Sequence, residues 1–267
     1  MKDGPALQAS RELGAAQTLP NQVYYVLAEG PCPYLPDRRE RKLITEMPGR
    51  REPKPISEMP ATSVDEATAR YSLLSRAGFR RSHQYAYRPA CSGCSACVPV
   101  RVRATDFEAG ASLKRVARTN RDLTAIERPA EPTDEQFELF GRYIQVRHGD
   151  GEMAGMTALD YHGMVRHSRV ETRMAEYRDA DGKLVAACLF DRLDDGFSAV
   201  YSFFEPELDG RSLGSHMVMW LIETAHAEAL PYVYLGYWIA AVTKMSYKAR
   251  FRPLEALGET GWETVDA

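Results

Sequence analysis

Long hydrophobic runs are missing from this sequence of 267 residues. No stretch approaches the roughly 18 consecutive apolar residues that a membrane-spanning helix needs. The first residues also lack the apolar segment of a secretory signal. These absences predict a cytoplasmic protein that has no membrane partner.

The sequence also lacks the spacings that identify several common enzyme classes. None of its six histidines has the spacing of a zinc-protease motif, and no serine stands in a nucleophile elbow. A mechanism through a covalent serine therefore has no support in the sequence. The five cysteines are an odd number, and three of them stand too close together in the sequence to pair usefully with one another. Reduced thiols are expected.

The formal net charge of -3 hides two basic segments. Four arginines occur between positions 76 and 88 without an acidic residue, and a second cluster follows. Such asymmetry is typical of a surface that binds phosphates, although an ordinary solvated helix face is equally compatible with it. The first group is Arg76, Arg80, Arg81 and Arg88, and the second is Arg101, Arg103, Lys114, Arg115, Arg118 and Arg121.

Three cysteines follow the first basic segment at regular spacing. Cys91, Cys94 and Cys97 form a C-x2-C-x2-C pattern, and Cys32, which stands between two prolines, is the candidate fourth ligand. Four thiolates suit zinc or an iron-sulfur cluster. The alternative is a set of reduced cysteines that pack a loop. Cys188 lies in an apolar segment and is expected in the core.

The N-terminal half predicts a loose arm over residues 1–21 and a small α+β domain over 22–128 that carries the cysteine cluster. Strands are expected over 22–28, 79–87 and 99–103. The segment 48–60 is rich in proline and charge, which indicates an exposed connection. A capping box at Ser63 and Glu66 opens a helix that Gly78 closes.

Residues 129–267 form the second predicted domain, and the fold class as a whole is α+β (mixed α/β). A capping box at Thr133 and Gln136 starts a helix that ends near His148. Three strands over 171–177, 183–191 and 197–204 are separated by tight-turn sequences, which indicates an antiparallel meander. A glycine-containing loop, a helix over 215–229 and a strand over 232–236 follow. This order is typical of the Gcn5-related acyltransferase core.

The loop before the predicted helix contains Arg211, Ser212 and Gly214. Glycine lets backbone N-H groups at a helix N-terminus approach a phosphate closely, and the helix dipole favours the negative charge there. We therefore take these three residues as candidate substrate-binding residues. A plain turn before a helix is the alternative.

Aromatic and basic residues alternate after the last of these strands. The pattern predicts a platform on which an unpaired nucleotide stacks beside phosphate-binding cations, and the alternative is core packing plus a solvated basic helix. The residues are Tyr237, Trp238, Lys244, Tyr247, Lys248 and Arg250.

Several long motifs in the same order resemble the bacterial aspartate/glutamate leucyltransferases, which are relatives of the eukaryotic arginyl-tRNA-protein transferases. The similarity covers roughly residues 20 to 262. The motifs are Cys32 to Pro36, Leu74 to Ser82, Tyr87 to Arg101, Tyr201 to Pro206, Ser212 to Gly214, Pro231 to Trp238 and Lys244 to Pro253.

The resemblance implies transfer of leucine from Leu-tRNA to the N-terminal amine of proteins that begin with Asp or Glu, which feeds the N-degron degradation pathway. Arginine is the alternative donor residue, because the eukaryotic relatives use it. Related cysteines of eukaryotic members are associated with metal or cluster binding. Two other classes compete: a CoA-dependent N-acetyltransferase and a metal-containing RNA-binding module without transferase activity.

The expected chemistry assigns roles to particular residues. An aminoacyl ester is already activated, so the enzyme needs mainly to align ester and amine, and no cofactor is required for the transfer. Asp191, Tyr201 and Glu205 are candidates to accept the proton of the attacking amine. Selecting an acidic terminus requires a cation that pairs with a carboxylate. The candidates for that role are Arg88, Lys244 and Arg250.

Overall fold

A computed structural model describes residues 22–48, 61–149 and 152–265. The predicted arm over 1–21, nearly all of the predicted connection over 48–60 and the side chain of Ser63 lie outside the described residues. Within the described part of the chain, no helix is long and apolar enough to cross a membrane.

The described residues contain fourteen strands and five α-helices. The strands are β1 (Tyr25–Val26), β2 (Gly30–Pro31), β3 (Arg39–Glu40), β4 (Lys42–Glu46), β5 (Arg80–Ser82), β6 (Tyr85–Pro89), β7 (Val98–Arg103), β8 (Thr124–Pro129), β9 (Thr172–Arg178), β10 (Leu184–Leu193), β11 (Gly196–Phe204), β12 (Tyr232–Trp238), β13 (Leu254–Leu257) and β14 (Trp262–Thr264). The helices are α1 (Ala61–Arg76), α2 (Ala111–Thr119), α3 (Asp134–His148), α4 (Ala158–Arg166) and α5 (Leu213–Ala227).

A large sheet has the strand order β14-β13-β7-β12-β11-β10-β9-β8. Strands β9, β10 and β11 form the antiparallel meander that the turn sequences predict. Helix α5 then leads to β12, which pairs with β11 in parallel. The predicted order of an acyltransferase core, and with it the mixed α/β class, is confirmed.

Two strands of the large sheet begin before position 129. Strand β7 lies between β12 and β13, and β8 forms the edge beside β9. The predicted division at residues 128 and 129 is therefore not a boundary between sheets. A strand's periodicity shows which of its faces is buried and does not show which sheet it joins.

A smaller sheet with the order β1-β4-β6-β5 carries the N-terminal part. The predicted strand over 79–87 is two strands, because His83 has a φ of 54° and turns the chain between β5 and β6. The strand expected over 22–28 is reduced to Tyr25 and Val26, which are exposed at the sheet edge.

Helix boundaries follow the local sequence closely. The Thr133 side chain accepts a hydrogen bond from the Gln136 backbone N-H, and the Gln136 side chain accepts one from the Thr133 N-H, so α3 begins with a complete capping box. Gly78 has a φ of 82° shortly after α1 ends, a backbone conformation that glycine adopts without steric cost.

Helix α5 is the central element of the main core. Its buried side chains include Leu213, Met217, Leu221 and Ile222, and they pack against the large sheet. Full burial of one such side chain contributes about 1.5–3 kcal/mol. This packing fixes the N-terminus of α5 relative to β11 and β12.

Candidate active site

Strands β11 and β12 diverge after a short parallel pairing. Only Gly196 to Ser198 pair with Tyr232 to Tyr234. Beyond that point, the register of β12 against β7 shifts between Tyr234 and Gly236. The carbonyl groups on the second half of β11 therefore face a gap between the two strands, which we call the strand gap.

Arg80 fills the strand gap. Its Nη2 donates to the carbonyl oxygens of Ala199, at 3.2 Å, and Val200, at 3.0 Å. Gly236 makes room for this side chain: a β-carbon at residue 236 would lie 2.5 Å from Arg80 Nε, and the φ of Gly236 is +72°. Only glycine combines that backbone conformation with so close an approach.

Lys248 is buried next to Arg80, and we call these two residues the cation pair. The Lys248 Nζ donates a hydrogen bond to the backbone oxygen of Tyr237. Burial, reinforced by the positive charge of Arg80, lowers the pKa of Lys248 to about 7. Among the described residues, neither member of the cation pair forms an ion pair with a carboxylate.

The titration of Lys248 gives stability a pH dependence with a definite sign. The unfolded chain returns the lysine to a pKa near 10.4, so above pH 7 the unfolded state holds a proton that the folded state has released. Stability from this group therefore rises with pH. Between pH 7.5 and 9.5 we expect the free energy of unfolding of the wild type, relative to that of Lys248→Met, to increase by about 1 kcal/mol per pH unit. Urea unfolding at several pH values checks this, and a flat difference would contradict the burial of Lys248.

Tyrosines surround Arg80. Its electrostatic neighbours include Tyr87, Tyr71, Tyr237 and Tyr34. Partial burial raises the pKa of Tyr34, which is 46% exposed and whose other neighbours include Tyr87 and Cys97. The strand gap and the cysteine loop thus meet at Tyr34.

A second cationic position lies between two helix N-termini. Arg250 donates to Ser112 Oγ at the start of α2, at 3.2 Å, and to Ser215 Oγ in the first turn of α5, at 2.6 Å. The first N-H groups of a helix have no partner within the helix and favour an anion. Arg250, which is exposed, is therefore placed to bind a phosphate together with these two helix ends.

The glycine-containing loop has a different arrangement from the one expected. The Arg211 Nε donates to Asn120 Oδ1 at 2.9 Å, and its Nη2 bonds Asp122. These contacts tie the arginine to the end of α2. Ser212 adopts a left-handed conformation without a side-chain cap bond, and Gly214 lies inside the first turn of α5.

The other predicted cations have dissimilar environments. Arg88 donates to the carbonyl oxygen of Ala77 at 3.2 Å and lies 5.8 Å from the centre of the Phe79 ring. Lys244 is exposed to solvent. Arg88 therefore supports the packing of the N-terminal part. Lys244 lies on the surface, four residues before Lys248.

Asp191 has an environment that differs from that of a proton acceptor. It is fully buried, and its carboxylate accepts hydrogen bonds from Arg81 at 2.7 and 2.8 Å and from Thr172 at 2.6 Å. All these contacts are internal to the protein. In this structure Asp191 joins β10 of the large sheet to β5 of the small one, without access to a substrate.

The two remaining candidate proton acceptors lie near α3. Burial raises the pKa of Tyr201, so its hydroxyl keeps its proton at neutral pH and is a poor base. Glu205 accepts from Arg142 at 3.0 Å and lines a pocket of about 420 Å³. Among the described residues, no hydrogen bond or ion pair joins the cation pair to the side chain of Tyr201 or of Glu205.

The predicted stacking residues lie mostly in the core. Tyr237 is 6% exposed, and its hydroxyl donates to the carbonyl oxygens of Gly78 and Tyr87, both at 3.0 Å. Trp238 and Tyr247 are half-buried and pack against the main core. The core-packing interpretation therefore describes Tyr237 better than an open platform does.

The four candidate metal ligands lie near one another. Burial and the neighbouring Cys91, Cys32 and Cys94 raise the pKa of Cys97 to about 11. In the described ranges, no group of three or more His, Cys, Asp or Glu side chains is arranged to hold a metal.

Two features of the sequence indicate the strand gap, although no motif assigned either of them to a site. Arg80 was one of four clustered arginines, and Gly236 interrupted an aromatic strand. A glycine inside a strand pattern indicates a bulge or a close approach. What approaches Gly236 is an arginine 156 positions earlier, which local patterns do not show.

The meander, the helix, the parallel strand and the gap between β11 and β12 define an acyltransferase-type core. Residues 30–115 match the model of the arginine-tRNA-protein transferase N terminus, and residues 135–258 match that of its C terminus. The chain therefore belongs to the arginine-tRNA-protein transferase family.

Relatives of similar length share about half of their residues with this chain. The aspartate/glutamate leucyltransferase of Paramagnetospirillum magneticum is 50% identical over 90% of this chain and 92% of that protein. That of Parvibaculum lavamentivorans is 49% identical over 91% and 95%. That of Rhodospirillum rubrum is 48% identical over 91% and 93%.

Proposed function

We propose that this protein transfers leucine from Leu-tRNA to the N-terminal amine of proteins that begin with Asp or Glu. The observation that carries the proposal is the sequence identity of 49–50%, over 90–91% of this chain, to proteins named aspartate/glutamate leucyltransferase. The reaction belongs in the cytoplasm, where charged tRNA and the proteins of an N-degron pathway meet. The partners are Leu-tRNA and the acceptor protein.

The strand gap and the helix ends supply what this reaction needs. The α-amine, with a pKa of about 7.7–8.0, attacks the ester carbonyl carbon. An amide bond forms, the ester C–O bond breaks, the amine loses one proton and the terminal ribose oxygen of the tRNA gains one. Because the ester is already activated, positioning of the two reactants supplies most of the acceleration. Arg250 and the N-termini of α2 and α5 are proposed to hold a phosphate near the tRNA 3′ end.

Arginine is a second candidate donor residue, because the matching family models carry the name arginine-tRNA-protein transferase. The test supplies purified Leu-tRNA and Arg-tRNA separately, with peptides that start with Asp, Glu, Lys or Ala, and measures the added mass. Leucine added to acidic-start peptides alone is the expected result. Addition of arginine only would show that the donor is Arg-tRNA and not Leu-tRNA. Absence of any addition would refute the proposal.

A zinc ion or iron-sulfur cluster at Cys32, Cys91, Cys94 and Cys97 is a separate proposal. The closeness of the four thiols supports it. Elemental analysis of the purified protein tests it.

The exposed side of α2 is the proposed docking surface for the tRNA backbone. Lys114, Arg115 and Arg118 on this helix, with Arg121 after it, are exposed, and within the described residues none of them forms an ion pair. Other members of the same basic segment are neutralised, since Arg101 pairs with Glu255.

Replacing two of these arginines should weaken tRNA binding, because fewer counterions are released when the RNA binds. For Arg115→Gln/Arg118→Gln we expect the slope of log K against log salt concentration to fall by about 0.7–0.9 for each phosphate that the protein no longer neutralises. Titration of labelled Leu-tRNA at several salt concentrations measures the slope. Arg128→Gln, at an exposed arginine of β8, is the control. An unchanged slope in the double variant would show that Arg115 and Arg118 of α2 do not contact the tRNA backbone.

A further inference from the structure

The cation pair has no counter-charge of its own. Most of the strongly buried arginines of the described chain are paired with carboxylates: Arg81 with Asp191, Arg101 with Glu255 and Arg169 with Glu46. Arg80 is bonded only to main-chain carbonyl oxygens, and Lys248 likewise. Two neighbouring cationic groups that are removed from water and lack an anion are costly to keep charged, and for this reason Lys248 loses its proton above about pH 7 in the free protein. A bound anion would favour the protonated lysine.

We infer that Arg80 and Lys248 form the receptor for the side-chain carboxylate of the acceptor protein's first residue. This inference rests on the proposed function and assigns its acceptor specificity to residues not previously given that role. A carboxylate that binds at the solvent-exposed part of Arg80, beside Lys248, would supply the missing negative charge and accept hydrogen bonds from both side chains.

The geometry leaves Arg80 able to bind a ligand. Its Nη2 holds the β11 carbonyl oxygens, whereas Nε and Nη1 have no hydrogen-bond partner among the described residues. The side chain is half-buried, so part of it reaches solvent. Both carboxylate-binding edges of a guanidinium group include Nη2, which is engaged here by two carbonyl oxygens, and Nε packs against Gly236. A carboxylate would therefore accept one hydrogen bond from Arg80 Nη1 and a second from Lys248.

The position of the pair also favours a carboxylate over a tRNA phosphate. Lys248 is only 6% exposed and tyrosines border the half-buried Arg80, so the Lys248 side of the site is removed from water. The phosphate position proposed above is different: Arg250 is exposed and lies at two helix N-termini. The two anions of the reaction thus have separate cations, two residues apart in the sequence at Lys248 and Arg250.

Discrimination between Asp and Asn should depend on this pair. A hydrogen bond to a charged group contributes about 1.5–3 kcal/mol, which corresponds to roughly 10- to 150-fold in kcat/KM. Removing one cation should therefore lower the Asp-to-Asn ratio of kcat/KM by at least about tenfold. The rate with an Asn-start peptide should change much less, because its amide does not need the charge.

The experiment uses the full chain, Leu-tRNA and peptides that differ only in an initial Asp or Asn. The variants are Lys248→Met, which keeps the length of the side chain, and Arg80→Gln. Arg128→Gln, at an exposed arginine of β8, is the control and should keep the wild-type ratio. Transfer kinetics, binding of each peptide and binding of Leu-tRNA are measured, and thermal melting identifies variants that are folded.

A lower Asp-to-Asn ratio in a folded variant, with Leu-tRNA binding retained, supports the inference. An unchanged ratio, or an equal loss with both peptides, overturns it while leaving the proposed function intact. Loss of Leu-tRNA binding instead would assign the pair to a phosphate and would also overturn it. Should the wild type transfer nothing, the proposed function fails. Peptide binding then decides the inference: a preference for Asp that Lys248→Met or Arg80→Gln abolishes supports it, and the lack of such a preference refutes it.

Discussion

Replacing Arg81 with methionine is expected to lower the free energy of unfolding by about 3–5 kcal/mol. The Arg81 side chain is 1% exposed and that of Asp191 is fully buried, with Nε and Oδ2 2.7 Å apart. The variant leaves Asp191 as a buried carboxylate without its cation, and Thr172 alone still donates to it. Urea unfolding followed by circular dichroism measures the loss.

The double variant Arg81→Met/Asp191→Leu distinguishes the cost of an unpaired charge from the cost of reduced packing. Replacing both partners of a buried ion pair with apolar residues is often nearly neutral, so we expect the double variant to recover most of the stability. A single variant that loses less than about 1 kcal/mol, or a double variant less stable than the single one, would contradict this account.

Changing Gly236 to alanine is expected to reduce kcat/KM for an Asp-start peptide by about 100-fold, because a displacement of about 1 Å in an active site can have that effect. The new β-carbon would lie 2.5 Å from Arg80 Nε and 2.6 Å from its Cδ and Cζ. Arg80 would have to leave the carbonyl oxygens of Ala199 and Val200. The φ of +72° adds a further cost of about 1–2 kcal/mol in stability. Steady-state transfer kinetics and urea unfolding measure the two effects separately.

Gly141→Ala is the matched control for this change. Gly141 lies inside α3, and nothing is within 4 Å of the position of an added β-carbon. Alanine there should stabilise the helix by about 1 kcal/mol and leave kcat/KM unchanged. If Gly236→Ala keeps the full transfer rate, Arg80 does not act from the strand gap.

Local patterns predicted the elements that local interactions determine. The capping box at Thr133 and Gln136 located the start of α3, and the turn sequences between the strands separated β9, β10 and β11. Hydrogen bonds between residues three apart, and turns of two or three residues, depend on the nearby sequence alone. The prediction was wrong at His83: one strand was expected through this residue, and the chain turns there.

The prediction of individual site residues was less complete. Asp191 and Arg81 both carry charges suited to catalysis or binding, yet they neutralise each other across two sheets. Arg80, its neighbour in the sequence, points to the opposite side of β5, because successive side chains of a strand alternate. Arg81 is therefore structural, and Arg80 fills the strand gap.

The order of the residues was enough to establish the family, the acyltransferase succession of the C-terminal elements and the presence of clustered cations. Which of those cations are free to bind a ligand could be read only from the folded chain. Pairing depends on distances between residues far apart in the sequence: Arg81 meets Asp191 and Arg101 meets Glu255, whereas Arg80 meets Gly236 and finds no carboxylate among the described residues.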